Sequence, residues 1–328
     1  MDLLEQYRRW RSMAEAALSA EVVNAEPVEV EGLAFVGMGG SGIVGDFASS
    51  LMEGAEVPSM ALRGLDLPRW VGRRWLVVAI SYSGGTLETV SVAHEAILRG
   101  ARVAVVSSGG GLLELARGRG LPHVRVEGGY APRAAMPAML YATLRLLSRL
   151  GFEGALEGAE EGLRVLEGGG AEEEGRRLSK FLEGSVPLVV ADQRFAPLAW
   201  RFKSELSENA KVPAKFEVVP ESMHNDVEAY AEAAKSFRAV VLSAGDDTAY
   251  TRMLEGFVAE LMEEVGLEAA VVRLRGEGRL AKLLYGSHVA GFASVHLALG
   301  RGVRPESTEL IKRYRGYLES SLRPRPLE

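Results

Sequence analysis

The feature that most limits the fold of this chain is an alternation, played twice, of short apolar β-branched runs with stretches of helical period. In the first half the runs are Leu33 to Val36, Ser59 to Leu62, Trp75 to Ile80, Arg102 to Val106 and His123 to Val126. In the second they are Pro187 to Ala191, Phe216 to Val219, Ala239 to Ser243 and Ala269 to Leu274. Runs of this kind separated by helices are the sequence form of a parallel sheet covered on both faces. Ile43 to Met52 and Leu87 to Leu98 read as two covering helices, the second with an apolar stripe at Leu87, Val90, Ile97 and Leu98 on which His94 is expected to pack. Gly168-Gly169-Gly170 reads as a hinge between helices, within a stretch rich in Gly, Glu and Ala. A length of 328 residues exceeds one comfortable hydrophobic core. The expectation is an α/β chain of two doubly wound parallel-sheet domains, 1–152 and 153–328.

In such a fold, ligands bind where strand C-termini meet helix starts. Ser81-Tyr82-Ser83-Gly84-Gly85-Thr86 crowds three hydroxyls and two glycines into one of those turns. Unpaired N–H groups and the positive end of a helix dipole favour an anion there, and short hydroxyl side chains let it come close. The loop lacks the Lys and Mg²⁺-binding acid of a nucleoside-triphosphate site, so a sugar phosphate fits better than ATP. Ser41, from the neighbouring Gly37-Met38-Gly39-Gly40-Ser41-Gly42, is placed to share that phosphate with Ser81, Ser83 and Thr86. The same glycine stretch formally matches a dinucleotide fingerprint, but Arg63 stands where an acidic ribose partner is wanted. The plainer reading of the hydroxyl loop is a turn with Thr86 as N-cap. The strand ends of the second half, Ala191-Asp192-Gln193 and Ser243-Ala244-Gly245-Asp246-Asp247, have no such cup.

A formal charge of -6 offers no basic surface for nucleic acid. The most lipid-like stretch, Val289 to Leu299, is too short and broken to cross a bilayer. With no cysteine and no leader pattern over Met1 to Leu18, the chain is expected to be cytoplasmic. None of the five histidines has the spacing of a helical zinc site, so neither a metal nor another cofactor is expected. His288 and His296 read as packed. His224 differs, because Pro220 to Asp226 is a polar loop between a strand and a helix, the usual place for chemistry. Glu208 breaks a local rule, lying near the negative pole of a helix expected over Pro197 to Ala210, unless it belongs to a solvated acidic face shared with Glu205. Arg133, at a helix start, needs an anion nearby. Lys312 is by default a surface residue.

Taken together, Gly37 to Gly42, Ser81 to Thr86, Pro132-Arg133-Ala134-Ala135, Ser207-Glu208-Asn209-Ala210-Lys211 and Pro220 to Asn225 resemble the bifunctional phosphoglucose/phosphomannose isomerase family. The resemblance implies two sugar-isomerase (SIS) domains, a dimer with its site at the domain and subunit junction, and aldose–ketose isomerisation of glucose 6-phosphate or mannose 6-phosphate to fructose 6-phosphate by a metal-independent cis-enediol route. It implies phosphate binding by Ser41, Ser81, Ser83 and Thr86, with further contacts from Gly39, Gly40 and Thr308. It makes Glu208 the base, sets Arg133 against the reacting carbons, and gives ring opening to Lys312 and to His224 of the neighbouring subunit. The chain departs from the family pattern at Gly85 and Ser207, where Asn is common, and matches it loosely over Pro305 to Lys312. A chain with this fold and an idle acid–base pair would be a sugar-phosphate sensor, and the glycine stretch alone would suit an NADP-linked oxidoreductase.

Overall fold

The computed structural model describes residues 1–55, 57–245 and 248–322. Asp246 and Asp247 of the strand end read above, and the last residues of the expected second domain, lie outside the described residues. Ten strands form two sheets. The first contains β1 (Val22–Val23), β2 (Gly32–Val36), β3 (Ser59–Leu62), β4 (Trp75–Ser81), β5 (Arg102–Ser107) and β6 (His123–Arg125), in the order β1-β6-β5-β4-β2-β3. The second contains β7 (Val186–Asp192), β8 (Lys215–Val219), β9 (Phe237–Ser243) and β10 (Ala269–Arg273), in the order β10-β9-β7-β8. All pairings are parallel except that of β1 with β6. The second sheet thus repeats the first through β3-β2-β4-β5, each later strand taking its counterpart's place. Every residue of β2 is buried, as both-face coverage by helices requires.

Each apolar run of the sequence is a strand. The missing one, β1, is two residues long and too brief for any periodicity to betray. The hinge glycines join the helices Ala159–Glu167 and Gly170–Phe181, with Gly169 left-handed.

Two helices differ from their reading. Leu87–Leu98 buries Glu88, Thr89, Val92, Ala93 and Ala96 most deeply; Val90 and Ile97 of the apolar stripe pack partly buried beside them, while Leu98 is 87% exposed and His94 is exposed. Small residues let this helix lie close on the sheet, so size outweighed hydrophobicity in choosing the face. The helix expected over Pro197 to Ala210 is α-helical only over Ala196–Glu205 and continues as a π-turn over Leu206–Ala210.

Gly278–Gly300, the longest helix, is buried along nearly its whole length. Protein on all sides accounts for the lipid-like run Val289 to Leu299. Among the described residues, no helix is long and apolar enough to cross a membrane. The helix Leu3–Arg8 belongs by sequence to the first half, yet it packs on this central helix, while Trp10–Ser19 lies on Met136–Arg149 and reaches the central helix through Trp10. Tyr7 lies on it at Gly291, where a Cβ would stand 2.2 Å from Tyr7 Cε1. The His288 ring stacks on Trp10 with centroids 4.7 Å apart, and its Nε2 pairs with Tyr7 O at 2.9 Å.

Burial holds the His288 pKa down at about 4, against an ordinary value of about 6.5. A depressed folded pKa gives stability that is present above the unfolded value and lost as pH falls toward the folded one. Thermal melts from pH 7 to pH 4 should therefore show a stability loss concentrated between about 6.5 and 4, approaching about 3 kcal/mol for the full shift. In His288→Asn, less stable at neutral pH, the slope should shrink to the smaller part that His296, also held down by burial, contributes.

Candidate active site

β4 ends on Ser81, and the chain turns through Tyr82, Ser83, Gly84 and Gly85 into the helix Leu87–Leu98. The turn is tight because Gly84 adopts φ +66° and backs onto the next loop, where a Cβ would stand 1.7 Å from Gly109 O. The buried Ser81 hydroxyl accepts from Gly84 N at 3.1 Å and pairs with Thr86 Oγ1 at 3.0 Å. Ser41 Oγ accepts from Tyr82 N at 3.1 Å, joining the two glycine-hydroxyl loops into one structure. Thr86 occupies the N-cap position, but no side chain caps the helix it begins, and none caps Gly39–Leu51 behind Met38. The plain N-cap reading of Thr86 therefore does not hold. Ser83, Gly85 and Gly39 are exposed at the rim, while Gly40 is half-buried. Two helix starts without a side-chain cap thus stand beside a set of hydroxyls, an arrangement whose N–H groups suit an anion.

Arg133 lies in the turn before the helix Met136–Arg149, and its backbone abuts this cup: a Cβ on Gly40 would stand 3.3 Å from Arg133 Cα. Only 5% of Arg133 is exposed. Its Nη1 donates to Glu208 Oε1 at 2.8 Å, its Nε to Asn209 Oδ1 at 2.5 Å and its Nη2 to Pro305 O at 2.8 Å. The anion that the position of Arg133 demanded is thus a side chain from the other half of the molecule.

The π-turn explains Glu208. The wider turn rotates Glu208 and Asn209 toward Arg133 and stops at Lys211, which is left-handed at φ +57°. Single π-turns of this sort recur at functional sites. Glu205 is no part of a solvated face: it is 2% exposed, paired with Arg201 at 2.7 Å. The Glu208 side chain is 31% exposed. Burial raises its pKa, against the opposing pull of Arg133. Lys211 Nζ donates to the carbonyls of Glu208 and Pro305, and burial, with Arg133 beside it, lowers its pKa.

The single chain does not bring every expected residue together. His224 is exposed at the end of a short 3₁₀ turn after β8, an edge strand of the second sheet, and bonds to neither Glu208 nor Arg133. Lys312 is exposed on Glu309–Leu322 and paired with Glu309 at 3.0 Å. Thr308 lies at the start of that helix, its carbonyl accepting from Lys312 N, three residues beyond the Pro305 carbonyl that Arg133 grips. Arg63 is paired with Asp46 and stacked over Trp200, so its charge is engaged within the protein, away from any nucleotide phosphate. Among the described residues, no group of three His, Asp or Glu is arranged to hold a metal ion. Tyr7, Glu205 and Asn209 escaped the sequence reading. The only signal was the spacing of Glu205 and Asn209, one helical turn apart.

Residues 171–318 match the family described as the bacterial phospho-glucose isomerase C-terminal SIS domain. A D-glucosamine-6-phosphate 4-epimerase from Sulfolobus acidocaldarius is 28% identical over 316 residues, 94% of this chain and 95% of its own. Among solved structures, the C-terminal domain of glucosamine-fructose-6-phosphate aminotransferase from Francisella tularensis is similar with a TM-score of 0.74, covering 93% of this chain and 98% of that one. At 14% identity, that likeness is one of fold alone. A bifunctional phosphoglucose/phosphomannose isomerase from Aeropyrum pernix is 35% identical over 337 residues, which covers 98% of both chains. With a match of that identity from end to end, on a fold of two sheets built alike, this chain belongs to the bifunctional phosphoglucose/phosphomannose isomerase family.

Proposed function

We propose that the chain interconverts glucose 6-phosphate and mannose 6-phosphate with fructose 6-phosphate through a cis-enediol, without a metal ion. The observation that carries the reading is the Arg133–Glu208 pair at 2.8 Å, standing next to an anion cup that no side chain caps. Phosphate held at one end fixes the distance from the cup to the sugar's first two carbons, so a remote group supplies orientation at the reacting centre. In this reading Ser41, Ser81, Ser83 and Thr86 hold the phosphate, with Gly39 and Gly40 close to the sugar.

Once the ring is open, Glu208 takes the proton from C2, the electron pair moves to O1, and O1 gains a proton to give the enediol. O2 then gives up its proton, in net terms the one O1 gained, as Glu208 returns its own proton to C1, leaving the ketone at C2. A carboxylate suits both directions when its pKa lies nearer neutrality, and burial pushes Glu208 that way. Negative charge grows on O1 and O2 during the transfer, and a fixed guanidinium lowers the energy of that state more than of the substrate. In the free chain Arg133 neutralises Glu208; substrate oxygens entering between them release the carboxylate for its task. A base that reaches C2 without gripping the C2 hydroxyl accepts both epimers. Ring opening is assigned to Lys312 and to His224 contributed by a second copy of the chain, so the homodimer is part of the proposal. So are Thr308 as a further substrate contact, the division into 1–152 and 153–328, and a cytoplasmic location.

Glu208→Gln keeps an acceptor for Arg133 but cannot move a proton. Isomerisation should fall by about 10³-fold or more, while fructose 6-phosphate binds within about threefold of wild type. Retained turnover would sink the assignment. A sensor would instead bind fructose 6-phosphate with no exchange of its C1 hydrogen in D₂O even in the wild type, and an epimerase would act on glucosamine 6-phosphate in place of these sugars.

The active form of the base is ionised, so kcat/KM should rise with pH through an apparent pKa above the ordinary Glu value of about 4.3. An acid limb at or below that value would contradict the burial argument. Full activity is expected after exhaustive EDTA treatment; activity lost and then restored by Zn²⁺ would replace the proposed route with a metal-assisted one.

A further inference from the structure

Arg133 enters the site from the first half, yet what fixes its guanidinium comes from the second. Asn209, fully buried, accepts from Arg133 Nε through Oδ1 at 2.5 Å. Its amide nitrogen donates to Glu205 Oε2 at 2.8 Å and Ser294 Oγ at 2.9 Å, with Tyr7 OH at 3.3 Å. Glu205 in turn accepts from the Tyr7 hydroxyl and pairs with Arg201, which closes the ring by donating to Arg133 O at 3.0 Å. The amide therefore has one usable orientation. Flipped, it would turn N–H toward N–H at Arg133 and oxygen toward a carboxylate at Glu205. Burial keeps water from softening either clash.

Resting on the isomerase reading, we infer that Asn209, oriented by Glu205 and Tyr7, is a positioning residue that sets the plane of the Arg133 guanidinium. With Nε tied, Nη1 is aimed at Glu208 and at whatever oxygen replaces its carboxylate. A cluster that merely fastened helices together would need only Tyr7, Arg201 and Glu205. Asn209 adds the bond from that cluster to the Arg133 guanidinium, where Arg201 reaches only the backbone carbonyl of Arg133. Loosening this link should leave substrate affinity nearly unchanged, because the phosphate cup is untouched, and should weaken stabilisation of the charge that appears during proton transfer.

The test is steady-state isomerisation of fructose 6-phosphate by the full-length wild type, Asn209→Ala, Asn209→Asp and Tyr7→Phe. In Asn209→Ala, kcat should fall by about 10- to 100-fold with KM within about threefold. The carboxyl introduced by Asn209→Asp keeps an oxygen against Nε and, once protonated, also restores a donor to Glu205. The ratio of its kcat to that of wild type should thus rise as pH falls, a signature that a purely structural role does not produce. Tyr7→Phe preserves ring packing and should lower kcat by about threefold. Wild-type kcat in Asn209→Ala, or an effect confined to KM, overturns the inference. Should Asn209→Ala fail to fold, an unaltered kcat in Tyr7→Phe overturns it equally. A wild type without turnover overturns the isomerase reading itself, and this inference with it.

Discussion

A guanidinium cannot shed its charge to escape burial, so an arginine taken out of water must be given acceptors on every side. Arg133 is that constraint here. Its own half supplies none of its side-chain partners; the second half supplies a carboxylate, an amide oxygen and a backbone carbonyl. Removing a partner from a buried pair of this kind costs about 3–5 kcal/mol, so the two halves are held together at this contact. The same contact sets two opposing effects on Glu208, burial raising its pKa and Arg133 lowering it, and burial prevails. A carboxylate held above its ordinary range is a by-product of how the halves are joined.

The two sheets are built on one plan and then put to different use. At the end of β2 the chain runs into glycines and a helix start that no side chain caps. At the end of β7, the counterpart strand, Asp192 fills that role itself: its carboxylate accepts from Arg194 N at 2.7 Å and pairs with the Arg194 side chain at 2.9 Å. A carboxylate built into the second half thus stands where the first half has glycines and no side-chain cap. The second half instead presents Glu208 through its π-turn. The N-terminal helices complete the arrangement by carrying Tyr7 across to the central helix, where it meets Glu205.

Much of this was legible beforehand. Buried strands announce themselves as apolar β-branched runs, and all those runs were found in register within parallel sheets. The hydroxyl loop was legible because few other uses exist for so many small polar residues at a strand end. Glu208 and Arg133 stood out because each violated a local electrostatic preference, and such violations mark sites where a distant partner pays the difference. The errors share a cause. The buried face of Leu87–Leu98 was assigned by hydrophobicity, whereas close approach to the sheet selected Ala93 and Ala96. Glu205 passed for a surface residue because its partners Arg201, Tyr7 and Asn209 converge from separate segments.

The sequence by itself determined the sheets, their duplication, the glycine-hydroxyl turn and the identity of the two residues most out of place, since these follow from periodicity, residue size and interactions within a few positions. Only the tertiary structure decided that those two residues face each other, that a π-turn aims one at the other, and that a buried ring of Tyr7, Arg201, Glu205 and Asn209 holds the arginine still. Hydrogen bonds between residues some two hundred positions apart leave no local pattern, because the condition they satisfy, burial of polar groups with partners, exists only once the chain has closed around them.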